Sequence, residues 1–410
     1  MLRHPKFATI VVAGTMAGIL AMLAGAAHAA EEKVSRALEK PLKAANEAMQ
    51  AKKGEECLTL AHEAQAVENR TAFDNFVINE LIGACSARLN KFQDAYTALA
   101  ANANAPQLAN KGLRYLALSQ LSYNLKDYPN AVEWGNKALE AGQDNGDLRV
   151  LIAQSYYIQK KYKEACTSMQ EVVGRAEKAG QRPTESSLAL LFQCYDKLSD
   201  DGNRGRIIDK LVTYYPKPDY WLNAMVTLQQ SAQKNDRLLL QVYRLMADVG
   251  AIKSASQFGE MASLAMEQGF PGEAQSVLEL AMSKNVFEDQ REKAKYTRML
   301  DSARKGVAAE KSNVTSAETE AARTGSSDLL VAVGSSYLLN AGDPAKAATL
   351  ISQGVNKGSL QKIPPNDAYV TLGIAYTRAK NVAEAQRAFG RVDKDNSYER
   401  LAKLWSLRAR

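Results

Sequence analysis

The stretch YVTLGIAYTRAKNVAEAQRAFGRV, from Tyr369 to Val392, decides the fold of this chain. It reads as two short helices joined by the turn Ala379-Lys380-Asn381. Gly373 in the first helix and Ala385 in the second are small, which predicts that the two helices cross closely at these positions. The rest of the seam is filled by apolar side chains: Leu372, Tyr376 and Phe389. The stretch therefore predicts an antiparallel pair of helices.

Units with this spacing recur along most of the chain after Val34, roughly 34 to 40 residues apart. Gly83 and Ala95 form the small pair of an earlier unit, whereas the unit at 220–249 has no recognisable small pair and is degenerate. The spacing and residue types resemble the tetratricopeptide repeat (TPR), a helix–turn–helix unit of about 34 residues. The resemblance covers about nine units, so it implies an all-α, right-handed α-solenoid. It extends to exported TPR proteins of proteobacterial periplasms.

The pattern also suggests a domain organisation. Residues 30–287 form an N-terminal TPR-like array, and residues 326–410 hold two further units. Between them, residues 288–325 are charged and then rich in Ser, Thr, Ala and Glu, which predicts a helix to about Glu310 followed by a loosely packed or mobile connection. The final amphipathic helix, Asn396–Arg410, is predicted to cap the last unit, because a solenoid must cover its terminal apolar face.

The first 29 residues have the pattern of a secretory signal. Arg3 and Lys6 precede an apolar run, and Ala27-His28-Ala29 is a small-x-small cleavage site. The sequence predicts cleavage after Ala29 and export to a bacterial periplasm; the alternative is an uncleaved anchor, since the apolar run is nearly long enough to span a bilayer. No later stretch is long and apolar enough to span a membrane, so no stable membrane insertion is expected after cleavage.

Charge and motifs exclude several classes of function. Removing Arg3 and Lys6 lowers the net charge from +7 to +5, and no basic block carries interleaved aromatic residues, so no nucleic-acid partner is indicated. His62 is the one histidine beyond the signal, in an ordinary helical stretch. There is no phosphate-binding loop, dinucleotide fingerprint, zinc-protease motif or nucleophile elbow. The sequence therefore predicts no enzyme activity, no cofactor and no metal site.

The four cysteines fall into two pairs with the same spacing. Cys57 and Cys85 are 28 residues apart, and so are Cys166 and Cys194. Each pair joins the start of one unit's second helix to the late part of the next unit's first helix, and the periplasm is oxidising. We therefore predict two disulfides, Cys57–Cys85 and Cys166–Cys194; the alternative is four buried thiols that act as small apolar residues.

The TPR resemblance also implies where a partner would bind. In stacked TPR units the first helices line a concave groove, and certain positions of each unit face it. Amides satisfy the backbone of an extended peptide, and tyrosines combine apolar area with a polar tip. The alternative for Tyr123 and Tyr157 is packing between helices. The candidate groove residues are Arg88, Gln120, Tyr123, Asn124, Gln154 and Tyr157.

Three functions remain open from the sequence. The first is a non-catalytic periplasmic scaffold that binds a protein or peptide partner of the cell envelope through its concave groove. The second is a protein that binds a small molecule or glycan in a cleft between two lobes, around residues 288–325. The third is an enzyme, which would need a cluster of titratable residues that the sequence does not contain.

Overall fold

A computed structural model of the chain describes residues 33–394 and 397–410. Within these residues the protein is an all-α solenoid of twenty helices without a strand, as the sequence predicts. The predicted signal, residues 1–29, lies outside the described residues. The contacts divide the described chain into two compact units, unit 1 up to Arg204 and unit 2 from Gly205 onward. This division differs from the boundary predicted at 288–325.

Unit 1 consists of consecutive helix pairs, and helix α10 contains the division from unit 2. The helices are α1 Arg36–Gln50, α2 Gly54–Gln65, α3 Ala72–Arg88, α4 Phe92–Ala101, α5 Lys111–Asn124, α6 Tyr128–Glu140, α7 Gly146–Ile158, α8 Tyr162–Lys178, α9 Glu185–Lys197 and α10 Asp201–Tyr214.

Packing in unit 1 follows the order of the chain. Each helix from α1 to α8 contacts the next, and alternate helices also touch: α1 with α3, α5 with α7, and α7 with α9. The close pairs predicted from small residues are confirmed, because a Cβ atom added at Gly83 would lie 2.3 Å from Leu99 Cδ2. Nothing larger than glycine fits there without a shift of the buried Leu99 side chain.

Two buried polar clusters tie successive pairs of unit 1 together. The Asp74 carboxylate accepts hydrogen bonds from Ser35 N (2.8 Å), Ser35 Oγ (2.5 Å) and Thr71 N (2.9 Å), so it joins the start of α1 to the capping box of α3. Glu80 on α3 accepts from Asn102 Nδ2 (2.7 Å) and forms a buried ion pair with Arg114 on α5. Both clusters connect elements more than twenty residues apart.

Unit 2 contains the remaining helices. They are α11 Pro218–Ala232, α12 Asp236–Asp248, α13 Ala255–Glu267, α14 Pro271–Lys284, α15 Gln290–Thr324, α16 Ser327–Leu339, α17 Pro344–Lys357, α18 Pro365–Arg378, α19 Val382–Phe389 and α20 Ser397–Arg408. The pair α18–α19 corresponds to the sequence from Tyr369 to Val392, and a Cβ atom at Gly373 would lie 2.2 Å from Phe389 Cε1.

Helix α12 is the centre of unit 2. All nine residues from Leu238 to Met246 are buried, so the helix is covered on every side. It contacts α11 and α13, its neighbours in sequence, and also α18 and α20. Gln241 Nε2 donates to Asp367 Oδ1 and Thr371 Oγ1, both at 2.9 Å, across the contact with α18. The unit that the sequence describes as degenerate is therefore the one around which unit 2 packs.

Helix α20 does more than the predicted capping role. It contacts α18 and α19, as a cap of the last pair should, but it also contacts α11 and α12. Trp405 is completely buried and its ring stacks on Phe389, with centroids 6.4 Å apart. At the other contact, Arg408 Nε lies 2.6 Å from Asp248 Oδ2 of α12. Helix α20 thus joins the two ends of unit 2.

The segment predicted to be a mobile connection is a single helix, so the expected helix end near Glu310 is wrong. Helix α15 continues to Thr324 and ends at Gly325, whose φ of 65° is left-handed. Val314, Ala317 and Ala321 pack with Leu330 and Val333 of α16. Polar contacts hold the same half of α15, which extends from Glu310 to Thr324. These contacts are Ser336 Oγ to Glu310 (2.8 Å), Tyr337 Oη to Glu318 (2.5 Å) and Lys346 Nζ to Glu318 (2.8 Å). A packed helix occupies the region where the sequence suggested a ligand cleft. The cleft therefore stays a prediction that the fold does not support.

In the part of the chain that the structure describes, no helix combines the length and the apolarity needed to cross a bilayer.

Candidate partner-binding groove

The predicted groove residues lie on the first helices of consecutive pairs. Arg88 is the last residue of α3; Gln120, Tyr123 and Asn124 occupy the last turns of α5; and Gln154 and Tyr157 occupy the last turns of α7. Helices α5 and α7 pack together, and so do α7 and α9. Residues at the same end of neighbouring first helices therefore lie side by side, as the TPR resemblance implies.

The structure brings Tyr123 and Gln154 together directly. The Tyr123 hydroxyl donates to Gln154 Oε1 at 3.1 Å, which links α5 to α7. Gln154 is only 8% exposed, so its side chain serves this contact rather than presenting a free amide. Arg88 points back along the array, where its Nη1 donates to the carbonyl of Met49 at 3.2 Å. Of the six predicted residues, Gln154 and Arg88 are thus engaged in holding helices together.

The two tyrosines are half-buried and are supported from one side. Tyr123 meets Tyr128 edge to face with centroids 5.6 Å apart, and Tyr157 meets Tyr162 in the same way at 5.3 Å. Tyr128 and Tyr162 begin the second helices α6 and α8. The alternative that these tyrosines pack between helices is therefore partly right, since each ring is fixed by its own hairpin but keeps part of its surface exposed.

Their surroundings keep both phenols protonated. Burial raises the pKa of Tyr123, and Tyr128 adds to the effect. Burial raises the pKa of Tyr157 to about 12, with contributions from Cys194, Tyr162 and Asp196. Neutral hydroxyls at physiological pH can both donate and accept hydrogen bonds. The pair of tyrosines therefore offers fixed aromatic area together with a polar tip that suits the peptide backbone.

Three further residues lie next to the tyrosines in the sequence or one turn away. Asn124 is exposed, Gln120 is half-buried, and Ile158, the last residue of α7, is 41% exposed. Sequence reasoning missed Ile158, although it follows Tyr157 just as Asn124 follows Tyr123. We call Gln120, Tyr123, Asn124, Tyr157 and Ile158 the candidate groove.

The cysteine predictions have different outcomes. Cys57 and Cys85 are disulfide-bonded with Cα atoms 6.0 Å apart, so α2 is covalently joined to α3. Cys166 and Cys194 are two buried thiols in the structure, and the predicted second disulfide is absent from it. Their side chains nevertheless share a hydrogen bond, which lowers the pKa of Cys166 and raises that of Cys194. The equal spacing correctly predicted that the cysteines of each pair are neighbours, but it did not predict which pair is oxidised.

The described residues hold no group of three or more His, Cys, Asp or Glu side chains that could bind a metal ion. His62 lies on an exposed surface, where its Nδ1 is 3.1 Å from Gln65 Oε1.

Comparison with known proteins adds no family. No family model matches the chain, and no curated protein matches it. Solved structures with similar folds include the Naa15/Naa10 complex bound to HypK, at 11% identity and a TM-score of 0.36, covering 86% of this chain and 57% of that one. The apo form of RapI has 12% identity and a TM-score of 0.34, with 84% and 93% covered.

A third similar structure is the pentatricopeptide repeat protein PPR10 from maize, with 11% identity and a TM-score of 0.30; 88% of this chain and 60% of that one are covered. The chain thus spans less than two thirds of two of these three structures. At these identities and TM-scores the similarity carries no conclusion about function.

Proposed function

We propose that this protein is a non-catalytic scaffold that binds an extended segment of a protein partner along the candidate groove of unit 1. The observation that carries the proposal is the pair Tyr123 and Tyr157. They occupy equivalent positions in consecutive repeats, and each is fixed from one side by a tyrosine of its own hairpin. Rigid, half-exposed tyrosines provide contact area at a low entropy cost, which is what a binding surface for a flexible segment requires.

The polar groups around the tyrosines support a peptide rather than a charged ligand. The exposed Asn124 can donate to and accept from a peptide backbone, while the exposed Ile158 offers an apolar contact for a side chain. The candidate groove contains no charged residue. We therefore expect the candidate groove to bind its partner mainly through hydrogen bonds to the partner's backbone and through contacts with its apolar or aromatic side chains.

We further propose that the protein works in a bacterial periplasm, in a cell-envelope complex. The signal pattern of residues 1–29 supports export, and the Cys57–Cys85 disulfide is of the kind that persists in an oxidising compartment.

The test compares capture from envelope extract by three versions of the protein after periplasmic expression. The groove variant carries Tyr123→Ala, Asn124→Ala and Tyr157→Ala. A matched control carries Glu133→Ala, Asn136→Ala and Lys163→Ala on the second helices α6 and α8, where all three residues are exposed. Circular dichroism and melting verify that both variants fold.

A protein recovered by the wild type and the control, but lost from the groove variant, is the expected result. Equal recovery by all three versions would place the binding surface elsewhere. Recovery of no protein by any version would contradict the scaffold proposal.

A further inference from the structure

The first half of α15 carries six exposed Lys and Arg residues, and four of them lie in a row along one face of the helix. Arg291, Lys295, Arg298 and Lys305 are all exposed, and within the described residues none of them forms an ion pair with an acid. At 100° per residue these four positions fall within an arc of about 80° and extend for about 21 Å along the helix. We call them the basic stripe.

The buried face of the same half-helix lies opposite the stripe. Tyr296, Leu300 and Ala303 are buried and face the rest of unit 2, where α15 packs against α14. The stripe therefore points away from the core.

The acids nearby do not neutralise the stripe. Glu292 is turned toward the helix start, where it accepts from Glu288 N at 2.9 Å. Asp301, three residues after Arg298 and four before Lys305, lies 3.8 Å from Arg304, so this one carboxylate is shared among three nearby cations. Arg291 and Lys295 are four residues apart, and Lys295 and Arg298 are three apart, so like charges are direct neighbours on the helix surface. Such neighbours destabilise a helix slightly unless something outside it compensates the charge. Unit 2 as a whole has 28 Lys and Arg residues against 22 Asp and Glu.

We propose that the basic stripe docks unit 2 on an anionic lipid surface, such as a bilayer that contains phosphatidylglycerol. A row of cations on one face of a helix complements a uniformly negative surface. Ser302 lies between the cations on this face and Ala294 lies at its edge, so the face has no outward aromatic residue on which a nucleobase could stack. Nor does it carry a large apolar residue that would insert into the bilayer, so the association is electrostatic and reversible.

The size of the effect follows from the number of charges. Each Lys or Arg close to an anionic surface favours binding by roughly fivefold, so four residues give an effect on the order of several hundredfold at low salt. Because the charges are exposed, salt screens the attraction within about one Debye length, or roughly 8 Å at physiological ionic strength. Binding should thus fall steeply as salt rises.

The experiment is vesicle sedimentation with the full-length mature protein. Vesicles contain equal parts of phosphatidylglycerol and phosphatidylcholine, with pure phosphatidylcholine as the neutral reference. The stripe variant carries Arg291→Gln, Lys295→Gln, Arg298→Gln and Lys305→Gln. The control variant removes the same charge from four scattered, exposed positions of unit 2, with Lys234→Gln, Lys362→Gln, Lys394→Gln and Arg410→Gln.

We expect the wild type and the control to sediment with the anionic vesicles and not with the neutral ones. The stripe variant should bind at least tenfold more weakly, and about 0.5 M NaCl should release the wild type. Equal weakening of both variants would mean that only net charge matters and would overturn the proposal. The proposal would also be overturned if the wild type did not bind anionic vesicles but bound soluble polyglutamate through the stripe. That result would indicate an acidic protein as the partner of the stripe.

Discussion

Unit 1 and unit 2 use the same helix hairpin but connect successive hairpins differently. In unit 1, helices contact their neighbours in the chain and the next helix but one. In unit 2, α12 also contacts α18 and α20, and the hydrogen bond from Gln241 to Asp367 spans 126 residues. The comparison teaches that repeat spacing predicts the hairpin, whereas residues that depart from the spacing decide how an array closes.

The difference has an energetic consequence. An array with contacts only between neighbours loses structure locally, because its stability is roughly a sum of repeats and their interfaces. A unit closed by contacts between its two ends should lose structure more cooperatively, since α20 touches both. The substitutions below test this contrast.

The largest effect is expected from Trp405→Ala. Trp405 is completely buried in α20, and removing a buried aromatic side chain of this size costs about 3–5 kcal/mol. Because α20 joins both ends of unit 2, amide hydrogen exchange should accelerate in α11 and α12 as well as in α18 and α19. The helices of unit 1 should keep wild-type exchange. Acceleration confined to α19 and α20 would show that α20 is only a terminal cap.

The second test acts on unit 1 through Cys57→Ser combined with Cys85→Ser. The disulfide closes a loop with a sequence separation of 28 residues, and a loop of that length predicts a loss of about 3–4 kcal/mol in the chain-entropy view. Hydrogen exchange should accelerate in α2 and α3 while unit 2 is unchanged. An unaltered exchange rate in α2 would contradict the stapling role.

The second cysteine pair provides the matched comparison. Cys166→Ser with Cys194→Ser should cost less than the first pair, because the structure has no disulfide there to lose. Alkylation under denaturing, non-reducing conditions followed by intact mass should count two free thiols. A count of zero would instead support the second disulfide predicted from sequence spacing.

A smaller effect is expected at the close contacts between helices. Gly83→Ala places a Cβ atom 2.3 Å from Leu99 Cδ2, and overpacking of this kind costs about 1–3 kcal/mol. Gly174→Ala is the control, since nothing lies within 4 Å of its added Cβ atom and alanine favours a helix by about 0.5–1 kcal/mol. Urea unfolding should therefore shift in opposite directions for the two variants. A stabilised Gly83→Ala would refute the close crossing of α3 and α4.

The smallest effect concerns pH. Burial alone would raise the pKa of Asp74, but hydrogen bonds from Ser35 and Thr71 outweigh it and lower the pKa to about 2. A depressed carboxyl pKa contributes stability above the ordinary value of 3.8, and this contribution is lost as pH falls from about 4 to about 2. Asp74→Asn should destabilise unit 1 by about 1 kcal/mol at neutral pH and flatten the acid dependence in that window. Thermal melting at a series of pH values measures both, and an unchanged acid slope would contradict the assignment.

The sequence was sufficient to predict the hairpins because small residues at a fixed spacing can be identified without knowing which residues they contact. Gly83, Gly373 and their alanine partners predicted close crossings that the structure contains. The sequence was insufficient where a residue's role depends on a distant segment. Helix α12 lacks a small pair, and its neighbours include the distant helices α18 and α20. The local sequence pattern does not indicate these contacts.

Helix α15 and the groove show the same limit. The Ser- and Thr-rich half of α15 is helical because Glu310 and Glu318 bind side chains of α16 and α17, contacts that composition alone does not show. Gln154 lies next to Tyr123, as equivalent positions of neighbouring repeats should, but its amide oxygen accepts the hydrogen bond of the Tyr123 hydroxyl. The repeat spacing predicted where the Gln154 side chain lies. Whether its amide is free to bind a partner depends on contacts with the neighbouring helix, which the spacing does not show.

The most direct test of the central claim, that unit 1 binds a protein partner along the candidate groove, is photo-crosslinking in the periplasm. A photoreactive amino acid replaces the exposed Asn124 on α5 or, as the control, the exposed Glu140 on α6. We predict a discrete protein adduct from position 124 that is absent from position 140. No adduct at 124, or the same adducts from both positions, would contradict it.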